Sequence, residues 1–113
     1  MARLSIRAGL TRGLISHPST MNVGTVEIRM RIRDARSLKD KRRVLNALKD
    51  RLRNTYNVSI AEVDGQELLQ SATVAVAQVA NDTRYLNSAL DKLVDAVRRF
   101  PLAELVDYHL EVF

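Results

Sequence analysis

The stretch that decides the fold is VEIRMRIRDARSLKDKRRVLNALKDRLRN, residues 26–54. Its first eight residues alternate strictly, with apolar side chains from Val26 to Ile32 on one parity and charged side chains from Glu27 to Arg33 on the other. A period of two with one apolar face is typical of a half-buried strand. We therefore expect the first regular element to be a strand with one face in a core.

A helix is expected directly after this strand. Ser37 precedes an apolar residue and Asp40 follows three positions later, which is close to a capping box with Asp in place of Glu. At about 100° per residue, four leucines then fall on one stripe flanked by Val44 and Thr55. The stripe consists of Leu38, Leu45, Leu48 and Leu52. Through these leucines the helix is expected to pack on the sheet.

Three further strands and a second helix complete the pattern. VSIAEV (58–63) is predicted to be a short strand, and the nearly all-apolar TVAVAQVA (73–80) a central strand buried on two sides. In the final LVDYHLEVF (105–113), we expect Val106, Tyr108, Leu110 and Val112 to share one face.

The second helix is expected between these last two strands. Asn81, Asp82 or Thr83 can cap it, and Pro101 stops it. Its apolar stripe is Leu86, Leu90, Leu93, Val94 and Val97. The order strand, helix, strand, strand, helix, strand predicts an α+β ferredoxin-like sandwich with a four-stranded antiparallel sheet and both helices on one face. This fold serves many functions and does not choose among them.

Composition narrows the class of protein. The chain has 113 residues, 46% of them hydrophobic and 27% charged, as expected for one soluble globular domain, which we place at residues 21–113. There is no cysteine, and His17 and His109 show no metal-ligand spacing, so we expect neither a metal nor a cofactor. No apolar run approaches the roughly 20 residues that span a bilayer. A cytoplasmic protein without a membrane partner is expected.

Residues 1–20, MARLSIRAGLTRGLISHPST, form a basic N-terminal extension that we expect to be disordered. It contains Arg3, Arg7 and Arg12 without any acid. One interpretation is a flexible arm for nucleic acid, and another is an organellar transit sequence. The favoured interpretation is that translation starts at Met21, immediately before the first strand.

Positive charge is concentrated in the first helix and its entry. Residues 27–53 hold eleven Lys and Arg against four acids, whereas residues 54–113 hold four against nine. On a helical wheel, five cations lie within about 120° of arc, roughly opposite the leucines. We call these five the basic face: Lys39, Arg42, Arg43, Lys49 and Arg53. Lys41 points near the leucine stripe, so its stem is expected to pack while its ammonium reaches the surface.

Such a surface suits the phosphates of a nucleic acid. The predicted nucleic-acid-binding residues are Arg36, Lys39, Lys41, Arg42, Arg43, Lys49 and Arg53. Their contacts with phosphates are expected to make binding strongly salt-dependent. The alternative is a solvated helix surface, since Lys and Arg are good helix formers and a helix that buries leucines exposes polar residues.

The open face, which is the sheet face away from the helices, carries a second basic row of Arg29, Arg31 and Arg33. These arginines either add a basic surface or pair with acids on neighbouring strands. The two central strands lack the aromatic residues on which an RNA-recognition sheet stacks bases, so RNA is expected to be held by its phosphates and shape. The small residues Ala61, Ala75 and Ala77 allow an alternative, a homodimer packed through the open face.

An enzyme is not expected. A ferredoxin-like phosphate-ester or acyl phosphate hydrolase would use an anion cradle at the start of the first helix, with Arg36 or Asn81 essential. The loop RDARS (33–37) has no glycine, and Ser37 and Asp40 are expected to satisfy the free N–H groups themselves. We therefore expect no catalytic residues and no small-molecule substrate.

Four segments together resemble the YlxP-like family of small bacterial proteins: ARSLKDKRRVL (35–45), NVSIAEVDGQELLQSATVAVA (57–77), VANDTRYLNSALDKLV (79–94) and VDYHLEVF (106–113). The resemblance covers about Met21 to Phe113 and not the N-terminal extension. It implies a ferredoxin-like domain without established enzymatic activity, and genes often placed beside those for translation initiation and ribosome maturation factors. That setting favours RNA or the ribosome as partner.

The matching positions are limited to two motifs. Residues 37–43 match the family's basic helix start, and Glu62, Val63, Asp64 and Gln66 match its middle motif. Where many relatives carry histidine and tryptophan, this chain has Gly65 and Leu69. A role that depends on that imidazole or indole does not carry over.

Overall fold

The computed structural model describes residues 20–113. The elements are β1 (Asn22–Arg31), α1 (Leu38–Thr55), β2 (Ser59–Asp64), β3 (Ser71–Ala80), α2 (Thr83–Arg98) and β4 (Glu104–Val112). The predicted order of strands and helices is confirmed. The prediction of a disordered extension at residues 1–20 lies outside the described residues, apart from Thr20.

The four strands form one antiparallel sheet in the order β2-β3-β1-β4. The side chains of one parity are buried beneath α1 and α2, and neither helix of residues 20–113 packs on the opposite face. This is the ferredoxin-like α+β sandwich predicted from the sequence. No helix within residues 20–113 is long and apolar enough to cross a membrane.

β1 alternates as predicted. Val26, Ile28 and Met30 are buried, while Glu27 and Arg29 are exposed on the open face. The strand begins at Asn22, four residues before the clean alternation, because β1 pairs along its whole length with the ten-residue β3. Hydrogen bonding in the ladder thus extends the strand beyond the hydrophobic pattern.

The prediction that the leucine stripe of α1 is buried is confirmed for three of its four residues. Leu45, Leu48 and Leu52 are buried, but Leu38 is 38% exposed and Lys41 is 1% exposed. Leu38 is the first residue of the helix, where the chain has not yet reached the core, and Lys41 takes the inward position one turn later. The expectation that the Lys41 ammonium reaches the surface is therefore wrong.

The remaining helix follows its pattern, whereas the prediction that the central strand is buried on two sides is wrong. The five predicted apolar residues of α2 are all buried, and Asp82 is the N-cap, with its side chain accepting a hydrogen bond from the N–H of Arg84. β3 is central as predicted, but Ala75 and Ala77 are only half-buried because their face of the sheet is the open one.

A β-bulge changes the face assignment in β4. Arg29 pairs with Asp107 and Met30 with Leu105, so Val106 is the extra residue between them. Leu105 consequently packs against the core, and Val106 is 44% exposed. The prediction that Val106 shares a face with Leu110 is wrong, because a bulge breaks the period of two.

Gly24 in β1 is needed for close packing of α2. A Cβ at this position would lie 2.6 Å from Leu90 Cδ1, and Leu90 is fully buried. We expect Gly24→Ala to lower the free energy of unfolding by about 1–3 kcal/mol through overpacking. Urea denaturation tests this, with the double variant Gly24→Ala/Leu90→Val expected to lose less than the sum of the single changes. A Gly24→Ala variant as stable as the wild type would contradict the close approach.

Candidate nucleic-acid interface

The structure separates the seven predicted site residues into two groups. Arg36 and four members of the basic face are exposed, and the fifth member, Lys49, is half-buried. Lys41 alone is buried. The structure therefore brings together the basic face with Arg36 at its entry, and removes Lys41 from it.

Two contacts fix how α1 presents this surface. Arg53 Nη2 donates a hydrogen bond to the carbonyl oxygen of Ile60 in β2 at 3.1 Å. On the other side of α1, the guanidinium of Arg51 stacks over the ring of Phe100, which follows α2, at 5.2 Å from its centroid. The basic face thus lies on the side of α1 that is turned away from α2, beside the edge strand β2.

The cations of this surface are free to bind a partner. Within residues 20–113, no side chain forms an ion pair or hydrogen bond with the side chains of Arg36, Lys39, Arg42, Arg43 and Lys49. Arg53 uses one nitrogen for Ile60. A fixed row of unpaired cations attracts anions, and its field is strongest for a partner with many charges.

Lys41 has a structural role instead. Its Nζ donates to the carbonyl oxygens of Gly65 and Leu68, each at 2.6 Å, and lies 2.9 Å from Glu62 Oε2. The side chains of Lys41 and Glu62 are only 2% and 15% exposed. Two of the three ammonium donors are hydrogen-bonded to carbonyls, and the charge of Lys41 is paired with Glu62, so this buried side chain is not placed to bind a phosphate. Its assignment as a nucleic-acid contact is therefore corrected: it anchors the loop between β2 and β3 to α1.

This anchor has a partial signal in the sequence. Lys41 lies inside the leucine stripe of the first helix, and Glu62 is two residues after Ile60, on the inward parity of β2. Opposite charges on two apolar faces that pack together are expected to meet. Pairing them requires the position of α1 over β2, which neither pattern supplies.

The arginines of the open face are paired, so this face is not a second basic surface. Arg29 donates to both oxygens of Asp107, from Nε at 2.9 Å and from Nη2 at 2.6 Å. Arg33 and Arg31 lie 3.0 and 3.5 Å from Glu104 Oε1. Against these three arginines, the strands of this face carry five acids, Glu27, Asp64, Glu104, Asp107 and Glu111. The net charge of the open face is therefore negative, and this face is expected to repel phosphates.

The pair formed by Arg29 and Asp107 gives a testable dependence on pH. The hydrogen bond from Arg29, with its positive charge, lowers the pKa of the Asp107 carboxyl, and the partner raises the pKa of Arg29. A carboxyl group whose pKa is lower in the folded than in the unfolded protein stabilises the fold at pH values above the unfolded pKa of about 3.9. This stabilisation is lost as the pH falls through the folded pKa. We expect Asp107→Asn to be slightly less stable than wild type at pH 6, and the difference to shrink as the pH falls below about 4 toward the lowered pKa of Asp107. Thermal melts across pH measure it, and a difference that does not shrink as the pH falls below about 4 would exclude this cause.

The start of α1 is capped by Ser37 and Asp40. Ser37 Oγ accepts a hydrogen bond from the Asp40 N–H at 3.0 Å, and Asp40 Oδ2 accepts one from the Arg36 N–H at 3.1 Å. Ser37 is thus the N-cap predicted from the sequence, whereas Asp40 bonds to the residue before the cap instead of to the N–H of Ser37 as in a full capping box. The cap occupies the N–H of Asp40, which is one of the donors that an anion at the start of α1 would use.

The open face has a shallow depression of about 510 Å³. Its floor includes Ala61 and Ala75, which pair across β2 and β3, and Ala77 on the same face. Glu27, Asp64 and Glu111 also line it. The three small residues singled out in the sequence are thus adjacent, and they give the sheet a flat, accessible centre. Within residues 20–113, no group of acids and histidines is placed to hold a metal ion.

Comparison with known proteins gives a family without an assigned activity. The family model described as "Protein of unknown function (DUF503)" matches residues 23–110. The chain is 33% identical over 82 residues to the "Uncharacterized protein YlxP" of Bacillus subtilis (strain 168), covering 73% of this chain and 89% of that protein. A de novo designed protein, Foldit4, aligns with 82% of this chain and 96% of its own at 9% identity and a TM-score of 0.46.

Proposed function

The chain belongs to the DUF503 family of proteins of unknown function, and we propose that it is a non-enzymatic cytoplasmic protein that binds RNA or the ribosome through the basic face of α1. The observation that carries the proposal is the contrast between two sets of arginines and lysines. Those of the basic face have no acidic partner within residues 20–113, whereas Arg29, Arg31 and Arg33 on the open side are paired with acids of β4.

This contrast supports a polyanionic partner. Opposite charges on neighbouring strands can pair, and the arginines of β1 are held in this way by acids of β4. Unpaired cations on one side of a rigid helix release counterions from a phosphate backbone when they bind it. A partner with a single carboxylate or phosphate would use one or two of them. RNA can use the whole row.

The proposal of a ribosomal partner rests on the resemblance described above. Its implied gene neighbourhood, beside translation initiation and ribosome maturation factors, favours ribosomal RNA over other polyanions. A role in ribosome maturation or translation is consistent with that setting.

The direct test is binding of the full chain to a structured ribosomal RNA fragment, measured by fluorescence anisotropy across a salt series. The comparison variant has Lys39, Arg42, Arg43, Lys49 and Arg53 all replaced by Gln. We expect a steep fall of affinity with salt for the wild type, with a slope contribution of about 0.7–0.9 for each phosphate contact, and a nearly flat dependence for the variant. Identical slopes, or no binding by the wild type, would refute the proposal.

A second candidate function is a homodimeric protein-interaction module without a nucleic-acid role. The adjacency of Ala61, Ala75 and Ala77 in the depression on the open face favours it, because small side chains let two sheets approach closely. Analytical ultracentrifugation tests it. The expected dimer should dissociate when Ala75 is replaced by Arg, and a monomer mass that does not change with concentration would rule it out.

A further inference from the structure

We infer that the RNA bound by the basic face is double-helical rather than single-stranded. This inference rests on the proposed function and specifies its ligand. The first reason is that the cations are held in a straight, rigid row. α1 has 18 residues, is capped by Ser37 and is fixed to the core by Leu45, Leu48 and Leu52. Lys39 and Arg53 are therefore separated by about 21 Å along a fixed axis.

A rigid row of charges suits a ligand that is itself regular and rigid. A double helix holds its phosphates in place before binding, so the contact costs it little conformational freedom. A flexible single strand would have to be straightened along the row, and that loss of entropy needs an additional favourable contact.

The additional contact that single-strand-binding proteins supply is base stacking on aromatic rings. Neither α1 nor β2 contains an aromatic residue. Within residues 20–113, the exposed aromatic side chains are Tyr85, Tyr108 and Phe113, which belong to α2, β4 and the residue after β4. They lie on elements away from the basic face, so the part of this surface that the structure describes has no aromatic platform for unpaired bases.

Charge also restricts the path of a single strand. A strand passing from α1 around the edge strand β2 onto the open face would reach the depression lined by Glu27, Asp64 and Glu111. The carboxylates there repel phosphates. The ligand is therefore confined to α1 and its immediate surroundings. There, cations can contact phosphates, but α1 and β2 offer no aromatic ring on which a base could stack.

A double-helical RNA fits the rigid row of cations, needs no aromatic ring for stacking and does not have to reach the acidic open face. Its wide, shallow minor groove presents phosphates and 2′-hydroxyls to a convex protein surface, and proteins recognise it through shape and backbone without unstacking bases. Arg and Lys of the basic face provide the contacts required, with Arg36 extending the row at its entry.

The experiment compares two RNAs with equal numbers of phosphates, a stem-loop and an unstructured uridine-rich strand, each titrated with the full chain over a salt series. For about five phosphate contacts, the slope of log affinity against log salt should be steeper for the stem-loop than for the strand by about one unit. The ratio of the two affinities, stem-loop over strand, should then be about ten times larger at 0.1 M salt than at 1 M. We further expect Tyr85→Ala and Tyr108→Ala to change neither affinity.

The outcomes separate the inference from the function on which it rests. Equal or tighter binding of the unstructured strand, lost on replacing Lys39, Arg42 and Arg43, would overturn the inference and leave the proposed function standing. Strand binding that is lost with Tyr85→Ala or Tyr108→Ala would also overturn it. Binding of neither RNA would overturn both.

Discussion

Replacing Lys41 by methionine is expected to lower the free energy of unfolding by about 3–5 kcal/mol, because it leaves a buried carboxylate without its partner. Methionine fills the space of the lysine stem but has no ammonium. Glu62 would lose its ion-pair partner at a position where its side chain is 15% exposed, and the carbonyls of Gly65 and Leu68 would lose their donor. Since small domains are stable by only about 5–15 kcal/mol, this is a large share of the total.

Urea denaturation measures this loss, and two variants act as controls. Lys39→Met removes a lysine from the same helix turn at an exposed position, and is expected to change stability by less than about 0.5 kcal/mol. The double variant Lys41→Met/Glu62→Leu removes both charges and is expected to be more stable than Lys41→Met alone. If Lys41→Met is no less stable than Lys39→Met, the ammonium is not anchored as described.

The second large effect is on RNA affinity, and two triple variants with the same change in net charge isolate it. One replaces Lys39, Arg42 and Arg43 by Gln, and the other replaces Arg29, Arg31 and Arg33 by Gln. We expect the first to reduce the salt slope by about 2–3 and the affinity at 0.1 M salt by about 100- to 500-fold, since three phosphate contacts are lost.

The control variant, in which Arg29, Arg31 and Arg33 are replaced by Gln, is expected to bind RNA almost as tightly as the wild type does. Those arginines are paired with Asp107 and Glu104, on a face whose acids outnumber its bases. If both triple variants lose the same affinity, binding follows net charge alone and no particular surface is used. If only the sheet variant loses affinity, the docking surface is on the open face.

The ferredoxin-like fold could be predicted from the sequence because the order of its elements is readable and two of them, β1 and α2, have clean periods. β1 alternates and α2 carries an unbroken apolar stripe, so burial alone assigns their faces. Connection rules then leave few arrangements for this order of elements. The basic face could also be located, since it depends only on the geometry of one helix.

What could not be predicted depends on contacts between elements. The inward position of Lys41 is stable only because Glu62 and two loop carbonyls reach it, and a helical wheel contains none of these groups. The pairing of Arg29 with Asp107 requires the register of β1 against β4, and that register is shifted by the bulge at Val106. An insertion of one residue in the ladder is not visible in a pattern of period two.

The enclosure of Lys41 also makes it a chemical reporter. An amine reagent modifies a free, deprotonated and accessible amino group, and the Lys41 ammonium is buried, hydrogen-bonded to two carbonyls and paired with Glu62. Lys39 and Lys92 are exposed and should be labelled at once in the native protein. Labelling of Lys41 should instead proceed at the rate at which the loop between β2 and β3 detaches from α1. Peptide mass analysis over time would then report how often this end of the domain opens, without any added probe.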